Sequence, residues 1–262
     1  VLIFAGAGSG KTRALTYRIA HMINNCGIKP SEILAVTFTN KAAGEMKERI
    51  AALVGEAAHQ VWAGTFHSMC ARILRVDGQA IGIPPQYSIF DEADQQAIVK
   101  EILARLEPVA ATGERGVSWK PSDILAAISA AKNELVDPAT YRRTRRGNFE
   151  KLVAKVYERY QRALEQNQAL DFDDLIMKAV ELLQTQPAVL QKYQQRFRYI
   201  LVDEYQDINY AQFRFVELLA QGHRNLCVVG DDDQSIYGWR GAKVDIILDF
   251  QKHFPDATVI KL

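Results

Sequence analysis

Six short apolar runs rich in β-branched residues punctuate the chain: VLIFAG (1–6), ILAVTFT (33–39), VWAGTF (61–66), YILVDE (199–204), NLCVVGD (225–231) and ATVIKL (257–262). None alternates cleanly between apolar and polar positions, which is the pattern of strands buried on both faces of a parallel sheet. Stretches with helical spacing lie between several of them, at 11–24, 40–53 and 211–220. Strands alternating with helices predict an α/β fold with right-handed crossovers.

The middle of the chain follows a different period. From about residue 71 to 196 the apolar positions recur at helical spacing, as in DEADQQAIVKEILARLE, NFEKLVAKVYERYQRALEQ and DFDDLIMKAVELLQ. Pro84–Pro85, the glycines 113 and 116, and DPAT at 137–140 mark turns. The Val, Tyr and Leu stripe of LVAKVYERYQRAL reads as core. The expected organisation is an α/β core in two parts, 1–66 and 197–262, interrupted by an all-helical insertion at 67–196.

Composition narrows the class without deciding it. The chain has 262 residues, 48% hydrophobic and 24% charged, with a net charge of +1. These are values of an ordinary soluble globular protein, and any nucleic-acid face must come from local clusters. Cys26, Cys70 and Cys227 are odd in number and far apart, which disfavours a disulfide framework or zinc site and fits a reducing cytoplasm. No apolar run approaches the ~20 residues of a membrane helix, and no signal peptide is evident. The first residue is Val, which suggests a chain cut from something longer.

AGAGSGKT (5–12) follows a strand-like run and opens a helix-like one, the context of a phosphate-binding loop. Gly6, Gly8 and Gly10 let backbone N–H groups close around phosphate oxygens, with Ala5, Ala7 and Ser9 between them and Arg13 just beyond. Ala5 stands where the strict pattern has its first glycine. Lys11 is placed to reach the β- and γ-phosphates, and Thr12 to hold Mg²⁺ through its hydroxyl. These features predict a nucleoside triphosphate site. Asp203 and Glu204 end a buried-type strand, where open α/β sheets bind ligands. Asp203 is placed to hold Mg²⁺, and Glu204 to orient and deprotonate the attacking water.

Read in order, AGAGSGKT, AVTFTNKAAGEM, GTFHS, DFDDL, ILVDEYQD and VVGDDDQSIYGWRGA closely resemble the superfamily-1 DNA helicases of the UvrD/Rep/PcrA type. The stretch from Arg75 to Leu170 carries no such motif. The resemblance implies a RecA-like phosphate-loop NTPase core (1A) with a helical insertion (1B), using ATP and Mg²⁺. It implies 3′→5′ movement along single-stranded DNA toward single-strand/duplex junctions. It marks Gln234 as the γ-phosphate sensor and Arg240 as a link to a following domain. Phe38, Phe172, Tyr237 and Trp239 become stacking residues for bases. Thr37, Thr39, Asn40, Thr65 and His67 become backbone or base contacts.

Those types suit sequence-independent binding, because every base offers a π-face and hydroxyl or amide groups hold phosphates without choosing a sequence. Bland readings compete. Phe38 in an apolar strand also fits a core position, and His67 a structural one. Trp239, in Gly-flanked SIYGWRG, is the best DNA contact. The run Arg142, Arg143, Arg145 and Arg146 reads as a solvated loop, or as a duplex contact through phosphate charge.

Two parts of the family pattern are absent: a Gln-containing segment upstream that reads adenine, and a second motor domain with its γ-phosphate arginine. The resemblance therefore implies a half-motor that alone hydrolyses ATP poorly and does not unwind DNA. Competing functions are the motor part of a helicase–nuclease subunit, a small-molecule phosphate-loop kinase, and a non-catalytic single-strand-binding module.

Overall fold

The computed structural model describes residues 1–6, 10–106, 119–231, 246–247 and 249–262. Among them the chain divides into two compact units: Val1–Arg72 with Val180–Leu262, and Ile73–Ala179.

The first unit is built on six parallel strands: β1 (Leu2–Phe4), β2 (Ile33–Thr37), β3 (Trp62–Thr65), β6 (Tyr199–Val202), β7 (Leu226–Gly230) and β8 (Val259–Lys261). Their spatial order is β3-β2-β6-β7-β1-β8. Each lies within one of the apolar runs. β2, β3 and β7 are buried along their whole length, which is why no polar alternation marks them. The register aligns Leu2 with Val228, Leu34 with Ile200, Val36 with Gly64, and Leu201 with Cys227.

The connecting helices are α1 (Lys11–Asn24), α2 (Asn40–Val54), α3 (Phe66–Asp77) and, after β6, α10 (Tyr210–Ala220). Thr39 caps α2 by accepting from Ala42 N. Asn209 and Gln212 form a reciprocal capping box on α10. One face of the sheet packs Leu15, Ile19 and Met22 of α1 and Met46 and Ile50 of α2 onto Ile3, Ile33, Ala35, Leu201 and Val229.

The second unit carries α4 (Glu92–Ala104), α5 (Pro121–Asn133), α6 (Pro138–Thr144) and α7 (Asn148–Gln166). Its core joins Val99, Ile124, Ile128, Val153, Val156, Tyr157, Tyr160 and Leu164. The Val–Tyr–Leu stripe of α7 is thus core, as its period predicts. One feature was not legible: a two-stranded parallel ladder of β4 (Ser88–Ile89) and β5 (Ala169–Leu170). Two-residue strands are too short to show a period; among the described residues the unit's other regular elements are helical.

The chain passes between the units inside α3 and inside α8 (Phe172–Thr185), whereas the sequence placed the changes at 66/67 and 196/197. The later boundary moves because α9 (Pro187–Arg196) packs with the sheet unit: Gln194 donates to Leu218 O of α10 at 2.8 Å, and Phe197 meets Trp62 at 4.8 Å between ring centroids. A four-residue helix α11 (Phe250–His253) precedes β8.

Candidate functional site

In a parallel sheet all strands point their C-terminal ends to one edge, and loops leaving that edge form the ligand crevice. Ala5 and Gly6 follow β1, Phe38 and Thr39 follow β2, and Phe66 and His67 follow β3. Asp203 and Glu204 follow β6, and Asp231 follows β7. Ala7, Gly8, Ser9, Gln234, Tyr237, Trp239 and Arg240 lie outside the described residues.

Gly10 caps α1 with φ of 90°, a left-handed conformation that glycine adopts at little cost and that turns the loop into the helix. The helix then presents Lys11 and Thr12 on its first turn. Lys11 is buried, its Nζ 3.6 Å from Glu204 Oε2 and 3.9 Å from Asp231 Oδ2. The Thr12 hydroxyl donates to Asp203 Oδ2 at 2.8 Å. Asp203 is anchored from behind, its N–H bonded to Val36 O at 2.9 Å, and its Oδ1 accepts from Glu204 N at 3.0 Å. Burial pushes the Asp203 carboxyl above its ordinary value, against the Thr12 hydrogen bond that favours its charged form.

Glu204 itself lies at φ 51°, a strained position for a non-glycine residue, where the chain leaves the ladder. Its Oε2 accepts from Gln206 Nε2 at 2.7 Å. Gln206 Oε1 in turn accepts from Asp231 N at 3.0 Å. One amide therefore ties the end of β6 to the end of β7. Asp207 is buried beside them with Oδ1 unpartnered, and burial together with Glu204 pushes it up to about 6. Sequence reasoning did not single out Gln206, Asp207 or Asp231. Their signal was present in ILVDEYQD and VVGDDD, where a polar run directly follows a buried strand.

A cavity of about 550 Å³ adjoins the loop, lined by Gly6, Lys11, Arg13, Tyr17, Arg49 and Leu53 among others. The Arg13 guanidinium lies 5.4 Å from the centroid of the Tyr17 ring.

Along the same edge, the tips of β2 and β3 bring together most of the residues read as DNA contacts. Phe38 is half-buried, with its ring 5.8 Å from Phe66 in an edge arrangement. Thr37 is fully buried and its hydroxyl has no partner. The Thr39 hydroxyl is committed to the α2 cap, and Asn40 is exposed beside it. Thr65 is buried, its Oγ1 accepting from Ser68 N at 3.2 Å. Burial lowers the pKa of His67, leaving it neutral at pH 7. Phe172 belongs to the other unit, on the first turn of α8, and is 51% exposed. Of the arginine run, Arg142 pairs with Glu158 at 3.6 Å and Arg145 with Glu134 at 3.3 Å. No helix of the described residues is long and apolar enough to cross a membrane.

The family model of the UvrD/REP helicase N-terminal domain matches residues 1–255. The chain is 50% identical over 262 residues to the ATP-dependent DNA helicase PcrA of Staphylococcus aureus (strain Mu50 / ATCC 700699), covering 100% of this chain and 35% of the relative. It is 50% identical over 264 residues to PcrA of Bacillus subtilis (strain 168), with the same coverage. PcrA of Leuconostoc citreum is 49% identical over 263 residues, with 34% of it covered. The chain thus spans about a third of the length of the relatives it matches. A phosphate-loop strand and helix, two acidic strand ends joined by one glutamine, and a match along nearly the whole chain agree: this protein belongs to the UvrD/REP helicase N-terminal domain family.

Proposed function

We propose that this chain is the ATP-binding part of an ATP-dependent DNA helicase or translocase that moves 3′→5′ on single-stranded DNA. The sheet unit would be the motor core (1A) and the helical unit its insertion (1B). The observation that carries the reading is the convergence of Lys11, Thr12, Asp203, Glu204, Gln206 and Asp231 at one sheet edge.

Mg²⁺ fits this donor set. Thr12 Oγ1 and Asp203 Oδ2 are hard oxygen donors already side by side, and the buried Asp203 carboxylate gains from a cation. Among the described residues no group of three or more His, Cys, Asp or Glu is placed to hold a metal. That suits an ion that takes one or two protein ligands and completes its shell with water and substrate phosphates. Bound there, Mg²⁺ would neutralise charge on the β- and γ-phosphates.

The protein's own residues divide the remaining work. Lys11, held between Glu204 and Asp231, is positioned for a phosphate to take over its ammonium. Glu204 accepts a proton from the water that attacks the γ-phosphorus, and the β–γ bridging oxygen leaves with ADP. Gln206 holds Glu204 and reports its position to the β7 end, from which the segment carrying Gln234 departs. The cavity walled by Arg13 and Tyr17 suits the base and sugar. Phe38, Asn40 and His67 lie on the same edge, where a DNA strand would be felt by the nucleotide site. The arginine run, half engaged in ion pairs, is proposed at most as a weak duplex contact.

The kinase reading loses its ground with family membership. Binding of ATP with Mg²⁺ and of oligo-dT to this chain tests the proposal. Lys11→Ala should weaken ATP binding at least tenfold, and Glu204→Gln should leave binding intact while lowering the hydrolysis rate of the longer helicase that carries this part about 10²–10⁴-fold. A chain that binds ATP but no oligo-dT would remove the DNA half of the proposal.

A further inference from the structure

The helical unit holds a second concentration of charge, distant in sequence from the nucleotide residues. Lys132, near the end of α5, is fully buried, with Nζ 2.7 Å from Asp171 Oδ2 and 2.8 Å from Asp174 Oδ1. The Tyr160 hydroxyl donates to Asp171 Oδ2 at 2.9 Å, and Gln161 Nε2 lies 3.3 Å from both Asp174 oxygens. The two carboxylates also cap α8 reciprocally. Asp174 N donates to Asp171 Oδ1 at 2.8 Å, and Asp171 N to Asp174 Oδ2 at 3.3 Å. Burial alone would push Lys132 toward its neutral form. The two carboxylates outweigh it and hold the ammonium above the ordinary lysine value.

A buried ion triad is a poor source of stability, because desolvation offsets most of the attraction and apolar residues of the same volume often serve as well. What it supplies is fixed geometry. Phe172 lies between the two locked carboxylates as the first residue of α8, half-exposed on a turn whose both ends are tied down. Ser129 of α5 hydrogen-bonds Asp173 on the same turn.

We propose that Lys132 and Tyr160 are positioning residues: through Asp171 and Asp174 they clamp the first turn of α8, so that Phe172 is presented as a preordered stacking platform for a base of single-stranded DNA. This rests on the DNA reading of Phe172 given above. A ring ordered before the base arrives loses less conformational freedom on binding, so the clamp acts on affinity for DNA and leaves the nucleotide site alone.

A double-mutant cycle read by oligo-dT anisotropy tests it, with ATP affinity and thermal melting measured on every variant. Phe172→Ala should weaken oligo-dT binding about tenfold. Lys132→Met should weaken it about three- to tenfold with ATP affinity unchanged, and should add no further loss in the Phe172→Ala background. Tyr160→Phe, which removes one hydroxyl, should show a smaller loss with the same non-additivity. It decides alone where Lys132→Met fails to fold. Full binding by Phe172→Ala would overturn the DNA reading of that residue and the clamp with it. Loss with Phe172→Ala but none with Lys132→Met and Tyr160→Phe, or losses that add in full, would overturn the clamp and leave the DNA reading standing.

Discussion

Asp207 lies buried within the field of Glu204 and Lys11, and burial followed by Glu204 raises it to about 6. A carboxyl that holds its proton more tightly folded than unfolded adds stability at low pH, and that contribution is lost as pH rises through the folded value. Asp207→Asn removes the charge without removing the shape. In the absence of nucleotide it should match the parent chain near pH 4 and become progressively more stable than it between about pH 4 and pH 6. Denaturant midpoints across that range measure this, and a difference that does not depend on pH would exclude a carboxyl raised by burial and by Glu204. Residues such as Lys11, Thr12, Asp203 and Glu204 were legible in sequence because their chemistry is written in contiguous motifs. Lys132 was not. Its partners lie 39 and 42 positions away in sequence terms, Asp171 and Asp174, and a lone lysine in ISAAKNEL looks like any solvated one until the chain folds.

At the scale of elements, Gly230 closes β7 against the turn after β6. A Cβ there would lie 2.8 Å from Gln206 Oε1, 3.2 Å from Gln206 N and 2.7 Å from Ile247 Cδ1. Both the Ile247 side chain and Gln206, the glutamine tying Glu204 to Asp231, must give to admit it. Gly230→Ala should therefore lower the rate of ATP hydrolysis about tenfold or more, beyond what its modest destabilisation explains. ATP turnover compared with melting temperature checks this, and a variant that loses stability but no turnover would show the bridge to be ornamental. The six strands themselves were readable, since a strand buried on both faces leaves a continuous apolar run. The helix bounds were readable too: 11–24 matches α1 and 148–166 matches α7. The unit boundaries were not, because α3 and α8 run through them and helical periodicity has no mark for a change of partner.

For the whole molecule, each unit has a described core of its own, one around Leu15, Ile19 and Met46 and one around Val156, Tyr160 and Leu164. Leu164→Ala opens a cavity at a fully buried site and should cost about 2–5 kcal/mol within the helical unit. Hydrogen exchange should then speed in α4, α5 and α7 while the sheet amides keep their protection. Equal loss in both would mean that the chain opens as one cooperative body.

The strand order also dictates a schedule. β1, which carries the phosphate loop, hydrogen-bonds only with β7 and β8, the last strands of the described chain. As this sequence leaves the ribosome, the helical unit has its full complement of residues while β1 is still without a neighbour. The loop thus has no floor on which to form until β7 arrives, and pairing across more than two hundred residues is slow. During that interval the apolar β1 run is open to chaperones and to other nascent chains, and ATP has no site to bind. Competence for nucleotide therefore waits on β7, made more than two hundred residues after the strand it must pair with.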